Sequence, residues 1–174
     1  LFAGLMVLNA DFVAVPWMAT KIEGNKDGSV WTYTVRKDSR WSDNAPVTAR
    51  DFEWSWKRQL DPATAAPYAS FLYDIKNGEA FNKKQITDPS QVGVRAKDDW
   101  TLEVTLEGPR GYFPVLAAYL AALPAYRAAV EKHGDRWVMR LPVPASGAYE
   151  LVSWQLNDKI RLRKNPRYWD AANT

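Results

Sequence analysis

Any catalysis by a Ser-His-Asp triad in this chain would have to use His133, because the sequence contains one histidine. His133 stands between Lys132 and Gly134 at the end of an apolar, helix-like run. Glycine commonly ends a helix, and a basic side chain is stabilised there by the helix dipole. We therefore expect a structural position for His133, and one copy of the chain cannot form a site from several histidines.

Carboxylate pairs are the other candidates for acid–base chemistry, and Asp98 and Asp99 form one such pair. They lie between two strand-like segments, where aspartate commonly forms turns. The chain has no cysteine, which excludes disulfides, thiol catalysis and cysteine-ligated metals. None of the nine glycines belongs to a phosphate-binding GxGxxG or GxxxxGK[ST] motif. The residues thus predict no enzyme, no cofactor and no metal site.

The charge pattern does not predict a nucleic-acid-binding protein. The net charge is +3, from 23 Lys and Arg against 20 Asp and Glu, and the two signs are interleaved. Lys159, Arg161 and Arg163 alternate with Ile160 and Leu162, so they should share one face of a strand. That face could bind an anion, but three cations without interleaved aromatics favour a solvated surface.

Aromatic residues are abundant, with nine Trp and eight Tyr among 174 residues. Trp31, Phe52, Trp56 and Trp100 recur at strand or helix spacing, which predicts burial in the core. Tyr68 differs, because it follows a proline in a segment between elements, and loop aromatics on a rigid scaffold often contact ligands. From the residues alone, a structural role for Tyr68 remains the simpler interpretation.

The patterns predict helices alternating with antiparallel strand pairs. Thr48 should cap a helix that begins near Asp51 and buries a stripe of Phe52, Trp56 and Leu60. Further helices are predicted at residues 112–122 and 124–133, with a helical turn at 67–73. Strands are predicted at 5–8, 20–23, 30–36, 92–96, 100–106, 148–155 and 159–164. The fold class is therefore α+β (mixed α/β).

The N-terminal residues 1–8 are apolar, but Asn9 and Asp11 interrupt them well before the roughly 20 residues of a membrane span. A basic leader and a cleavage site are missing, so a signal peptide is not predicted. The chain opens on Leu rather than Met, and we expect a fragment or a processed product.

Several runs in order along the chain resemble one family. They are LFAGL at residues 1–5, DGSVWTYTVRKDSRW at 27–41, WSDNAPVTARDF at 41–52, DPATAAPYAS at 61–70, TLEVTL at 101–106, AVEKHGDRW at 129–137, SGAY at 146–149 and RKNPRYWD at 163–170. Together they look like the periplasmic oligopeptide-binding proteins of peptide ABC importers, extracellular solute-binding protein family 5.

The resemblance implies a periplasmic-binding-protein type II-like fold, of which this chain is the N-terminal part only. Residues 1–8 would belong to the first lobe, 9–135 to an antiparallel-rich inserted domain, and 136–174 to the return into the first lobe. The second lobe would be absent. By the same resemblance Tyr68 matches a family tyrosine that lies against the bound peptide, and Tyr119 aligns with a loop position near the peptide.

The function implied is that of an extracytoplasmic receptor that delivers peptides to an ABC importer without chemical transformation. Its partners would be a peptide ligand and the membrane permease subunits, and the full-length protein would be a monomer. It would be periplasmic, or extracellular and lipid-anchored in a Gram-positive host. The alternatives are a receptor of the same fold for an oligosaccharide or a nickel chelate, a glycan-binding adhesion module with exposed coplanar tryptophans, and a hydrolase dependent on His133.

Overall fold

A computed structural model describes all residues from 1 to 174, and it has the predicted mixture of helices and antiparallel strands. Eight strands are present: β1 (Met6–Leu8), β2 (Ala14–Pro16), β3 (Ala19–Gly24), β4 (Val30–Val35), β5 (Val94–Ala96), β6 (Thr101–Thr105), β7 (Tyr149–Gln155) and β8 (Lys159–Lys164). Every strand pairing is antiparallel.

Four α-helices are present: α1 (Ala49–Leu60), α2 (Gly78–Asn82), α3 (Phe113–Leu116) and α4 (Arg127–His133). Short 3₁₀ helices cover Ala69–Leu72, Pro89–Gln91, Leu120–Ala122, Gly134–Met139 and Ala171–Asn173. None of the helices has the length and apolar content needed to cross a bilayer.

The chain divides into two compact units, each assembled from separate segments. The larger unit contains Gly4–Arg36 and Thr48–Pro124, and the smaller unit contains Leu1–Ala3, Lys37–Val47 and Ala125–Thr174. The lobe and inserted-domain boundaries expected from the resemblance, at residues 8 and 135, stay a prediction.

The larger unit is built on a four-stranded sheet with the order β3-β4-β6-β5. The turn between β3 and β4 forms where the Asp27-Gly28 pair predicts it. Gly28 has φ +73°, which suits a residue without Cβ, and the Asp27 carboxylate accepts a 3.0 Å hydrogen bond from the Ser29 backbone N–H. Tyr33 and Val35 of β4 are buried, but Trp31 on the same strand and Trp100 are only half-buried, so the predicted burial of these two tryptophans in the core is not complete.

Helix α1 packs on the sheet through the predicted stripe, since Phe52, Trp56 and Leu60 are all fully buried. Its N-terminus is fixed by the Asp51 carboxylate, which accepts hydrogen bonds from the backbone N–H and the hydroxyl of Thr48 at 2.7 and 2.9 Å. This is the capping interaction that the sequence predicts.

The predicted helix at residues 112–122 is wrong as one continuous element. Helix α3 ends at Leu116, Tyr119 has an extended backbone with φ −83° and ψ 157°, and a separate 3₁₀ turn follows. The run is apolar on all sides, so it has no polar face from which a helical repeat could be recognised. Ala117 and Ala122 are both buried, and tertiary packing decides the path of this segment.

In the smaller unit, Trp41 is fully buried and its ring lies 4.9 Å from that of Tyr126. The predicted hairpin of β7 and β8 is confirmed. Lys159, Arg161 and Arg163 lie opposite Gln155, Ser153 and Glu150, on the face away from Ile160 and Leu162, as predicted. Arg163 pairs with Glu150 at 2.7 Å.

Candidate ligand-binding site

Tyr68 is held at the start of the 3₁₀ helix Ala69–Leu72, directly after Pro67. Ala69 and Leu72 are buried and anchor this helix to the core of the larger unit. The Tyr68 side chain points away from that core and is 47% exposed. A rigid backbone therefore presents an accessible aromatic ring, which is the arrangement expected of a ligand-contacting loop residue.

Tyr119 lies between α3 and the 3₁₀ helix Leu120–Ala122, directly before that helix, and its backbone is extended. The flanking Ala117 and Ala121 are buried, so the backbone on both sides is fixed. The Tyr119 side chain is 41% exposed. The helix predicted from the sequence is interrupted before this residue.

Phe71 brings the two tyrosines together in an aromatic cluster, defined here as Tyr68, Phe71 and Tyr119. The Tyr119 ring stacks on Phe71 with centroids 4.8 Å apart and planes inclined by 14°. The Tyr68 ring meets Phe71 edge-on, at 5.9 Å and 71°. Both geometries are favourable for aromatic pairs. Sequence reasoning missed Phe71, although it follows Tyr68 by three residues in a predicted helical turn, the spacing that places side chains side by side.

The tyrosine hydroxyls of the cluster differ from those of three other tyrosines in the chain, which are hydrogen-bonded. Tyr73 donates to Asn82 at 2.5 Å, Tyr112 to Asp74 at 2.8 Å, and Tyr126 to Asp43 at 2.6 Å. Tyr68 and Tyr119 form no hydrogen bond with another protein group through their hydroxyls. Both groups are thus free to donate to, and accept from, an incoming ligand.

A concavity of about 330 Å³ adjoins the cluster and shares Phe71 with it; Asp74 and Tyr112 form its polar side. The Asp74 carboxylate accepts from Arg110 Nε at 3.0 Å and from the Tyr112 hydroxyl. These contacts raise the pKa of Arg110 and the pKa of Tyr112, because each hydrogen bond favours the protonated partner. The carboxylate is already paired, so this rim presents little net charge.

Another concavity of the larger unit, of about 690 Å³, does not include the aromatic cluster. Its lining is polar, but the Glu53 carboxylate there already binds the Lys57 ammonium at 2.5 Å and the Ala96 backbone N–H at 2.9 Å. These groups serve the packing of α1 against β5. The groove therefore carries a weaker functional argument than the aromatic cluster.

None of the candidate catalytic residues belongs to the aromatic cluster. His133 is exposed at the last position of α4, as predicted, and Gly134 follows with φ +59°. Asp98 accepts from the Trp100 backbone N–H at 2.7 Å, and Asp99 binds Arg50 at 2.7 Å, so both stabilise the predicted turn. Across residues 1–174, no group of three His, Cys, Asp or Glu side chains is close enough together to hold a metal ion.

The tryptophans do not form the exposed coplanar set that a glycan-binding module would need. Trp41 and Trp56 are fully buried, and Trp31 is half-buried with its Nε1 donating to the Arg110 carbonyl at 3.3 Å. Trp154 is the exception, at 52% exposed. One exposed ring on a strand does not make an aromatic platform, and the adhesion alternative loses its support.

Comparison with known proteins places these features in a family. Residues 13–174 match the family described as bacterial extracellular solute-binding proteins, family 5 Middle. The periplasmic oligopeptide-binding protein OppA of Escherichia coli (strain K12) is 44% identical over 182 residues, which covers 100% of this chain and 32% of the relative. The probable deoxycholate-binding periplasmic protein YgiS of the same organism is 38% identical over 176 residues, covering 100% of this chain and 33% of the relative.

A solved structure shows the same fold. The crystal structure of Haemophilus influenzae OppA in complex with the peptide RPPGFSPFR superposes with a TM-score of 0.95 at 38% identity, covering 100% of this chain and 34% of that chain. The sequence therefore spans about a third of the length of the relatives that it matches.

Proposed function

Since the chain belongs to the bacterial extracellular solute-binding proteins, family 5, we propose that it is the N-terminal part of an extracytoplasmic receptor that delivers peptides to an ABC importer. The observation that carries the proposal is the exposed aromatic cluster, in which Tyr68 and Tyr119 present unbonded hydroxyls. Relatives named for oligopeptide binding match the whole chain, which supports peptides as the ligand class.

The chemistry of the cluster suits an extended peptide. Backbone N–H and C=O groups are the same in every peptide, and phenolic hydroxyls can bond either of them. The ring faces of Tyr68 and Tyr119 give apolar contact whatever the ligand sequence. Pairing through the backbone gives affinity, and side-chain pockets then set the preference.

The remainder of the proposal concerns the full-length receptor. Residues 1–8 and 136–174 belong to its first lobe, and residues 9–135 form the inserted domain that carries the aromatic cluster. A second lobe closes over the peptide, and the closed population is recognised by the permease subunits. The receptor is a periplasmic monomer that changes no covalent bond, so it requires no nucleophile or general base.

The test is calorimetric titration of the full-length receptor with RPPGFSPFR, the peptide bound by the Haemophilus influenzae relative. We expect the native protein to bind and Tyr68→Ala to bind about tenfold more weakly, since the change removes an aromatic contact and a hydroxyl. Tyr149→Ala is the matched control, because Tyr149 is similarly exposed at 42% but lies on β7, outside the cluster. Unchanged affinity in Tyr68→Ala would remove Tyr68 from the site.

A second ligand class is favoured by one observation, the similarity to the probable deoxycholate-binding protein YgiS. A flat ring stack such as Phe71 on Tyr119 can also support the apolar face of a steroid. Titration with deoxycholate, an oligosaccharide and a nickel chelate therefore belongs in the same screen. Tight binding of one of these without peptide binding would overturn the peptide proposal.

A further inference from the structure

We propose that Phe71 is the positioning residue of the ligand site, which fixes the rings of Tyr68 and Tyr119 before the ligand arrives. This inference rests on the proposed peptide-binding function and adds a third residue to it. The phenyl ring of Phe71 supports the two tyrosines that contact the peptide.

Phe71 is itself firmly placed. It lies inside the 3₁₀ helix whose neighbours Ala69 and Leu72 are buried, and its backbone N–H donates to the Tyr68 carbonyl at 3.2 Å. Its side chain is half-buried and forms a wall of the adjoining concavity. The ring thus has little freedom to move relative to the core of the larger unit.

The two tyrosines, in contrast, depend on Phe71. Their rings make no other aromatic contact, and neither hydroxyl bonds a protein group. Both side chains are also more than 40% exposed. An exposed ring without a support would sample several rotamers, and binding would then have to immobilise it at a cost in affinity.

Because the tyrosine rings already pack on Phe71 in the free protein, binding does not have to immobilise them. The 4.8 Å, nearly parallel contact selects one orientation of the Tyr119 ring, and the edge-on contact selects one orientation of the Tyr68 ring. The two hydroxyls, which form no hydrogen bond within the chain, are then held at fixed positions for the ligand. Phe71 acts through the tyrosines and needs no contact with the ligand.

The experiment compares Phe71→Leu, Phe71→Tyr, Tyr119→Ala and the double variant Phe71→Leu/Tyr119→Ala in the full-length receptor, titrated with RPPGFSPFR. We expect Phe71→Leu to weaken binding about tenfold, because it keeps apolar volume but removes the ring. Phe71→Tyr should restore native affinity. The double variant should bind more weakly than Tyr119→Ala but lose clearly less than the sum of the two single losses, since both changes disable the Tyr119 contact and only Phe71→Leu also releases Tyr68.

Two further readouts separate positioning from general stability. The near-ultraviolet circular dichroism of the tyrosines should diminish in Phe71→Leu without ligand, because ordered ring pairs are lost. Phe81→Leu is the control: Phe81 is buried in α2 of the same unit, and its loss should lower the melting temperature without changing affinity.

Native affinity in Phe71→Leu, or additive losses in the double variant, would overturn the inference while the receptor function stands. A native receptor that binds no peptide would overturn the proposed function and, with it, this inference.

Discussion

Replacing Trp56 by alanine should remove a large share of the stability of the chain. Trp56 is fully buried in α1, and its ring meets Phe113 edge-on at 6.1 Å. Truncation of a buried aromatic to alanine costs about 3–5 kcal/mol through lost transfer energy and the remaining cavity. The indole Nε1 also donates to the Ala122 carbonyl at 2.8 Å, and leaving that buried acceptor without a partner costs about 1–3 kcal/mol if no water replaces it.

The two contributions overlap, so we expect a total loss of about 4–5 kcal/mol for Trp56→Ala. Domains have a total stability of about 5–15 kcal/mol, and a chain of this size loses about 2–4 °C in melting temperature per kcal/mol. The melting temperature should therefore fall by about 8–20 °C. Trp56→Phe keeps an apolar ring but loses the hydrogen bond, and its loss should be clearly smaller.

The assay is urea unfolding followed by far-ultraviolet circular dichroism, which does not depend on the tryptophan that is removed. Trp154→Ala is the matched control, because Trp154 is 52% exposed on β7 and should change stability by less than about 1 kcal/mol. A loss below about 1 kcal/mol in Trp56→Ala would refute the assignment of the α1 stripe to the core.

Three more outcomes are expected. Tyr33→Phe should leave the free energy of unfolding unchanged or raise it by up to about 2 kcal/mol, because the Tyr33 hydroxyl is buried without a hydrogen-bond partner. Urea unfolding measures this free energy, and a loss above about 1 kcal/mol would contradict the prediction. Asp74→Asn should lower the pKa of Tyr112 toward its ordinary value, because the carboxylate that disfavours the tyrosinate is gone. Ultraviolet titration gives the shift, with Tyr112→Phe as the variant that identifies the Tyr112 signal. An unchanged pKa would contradict the hydrogen bond between Tyr112 and Asp74. The 174-residue chain by itself should bind RPPGFSPFR poorly or not at all, because it spans only about a third of the length of its relatives. Calorimetry that gave micromolar affinity would contradict this and show that the chain contains a complete site.

The elements predicted with least ambiguity were those in which local chemistry and periodicity agree. For α1, Thr48 and Asp51 form the cap and Phe52, Trp56 and Leu60 form the stripe, so one helix satisfied every pattern at once. The β3–β4 hairpin was predicted equally well, because Gly28 can adopt the positive φ of the turn and apolar residues alternate with polar residues along β4. The prediction of one helix at residues 112–122 was wrong, because a uniformly apolar composition fits several backbone paths.

The candidate site was only partly predictable. From the residues alone, a structural role for Tyr68 was the simpler interpretation. The family resemblance singled out both tyrosines, because Tyr68 matches a family tyrosine and Tyr119 aligns with a loop position near the peptide. The role of Phe71 was not visible, because its contact with Tyr119 joins residues far apart in the chain and depends on the unpredicted break after α3.

The sequence by itself determined the α1 helix with its buried face, the β3–β4 and β7–β8 hairpins, and the absence of thiol and multi-histidine chemistry, since composition, capping and alternation act within a few residues. Only the tertiary structure decided that Tyr119 meets Phe71. It also decided that the hydroxyls of Tyr68 and Tyr119 stay unbonded, whereas those of Tyr73, Tyr112 and Tyr126 are paired. Such contacts depend on how distant segments pack, and no local pattern encodes a distance between residues 71 and 119.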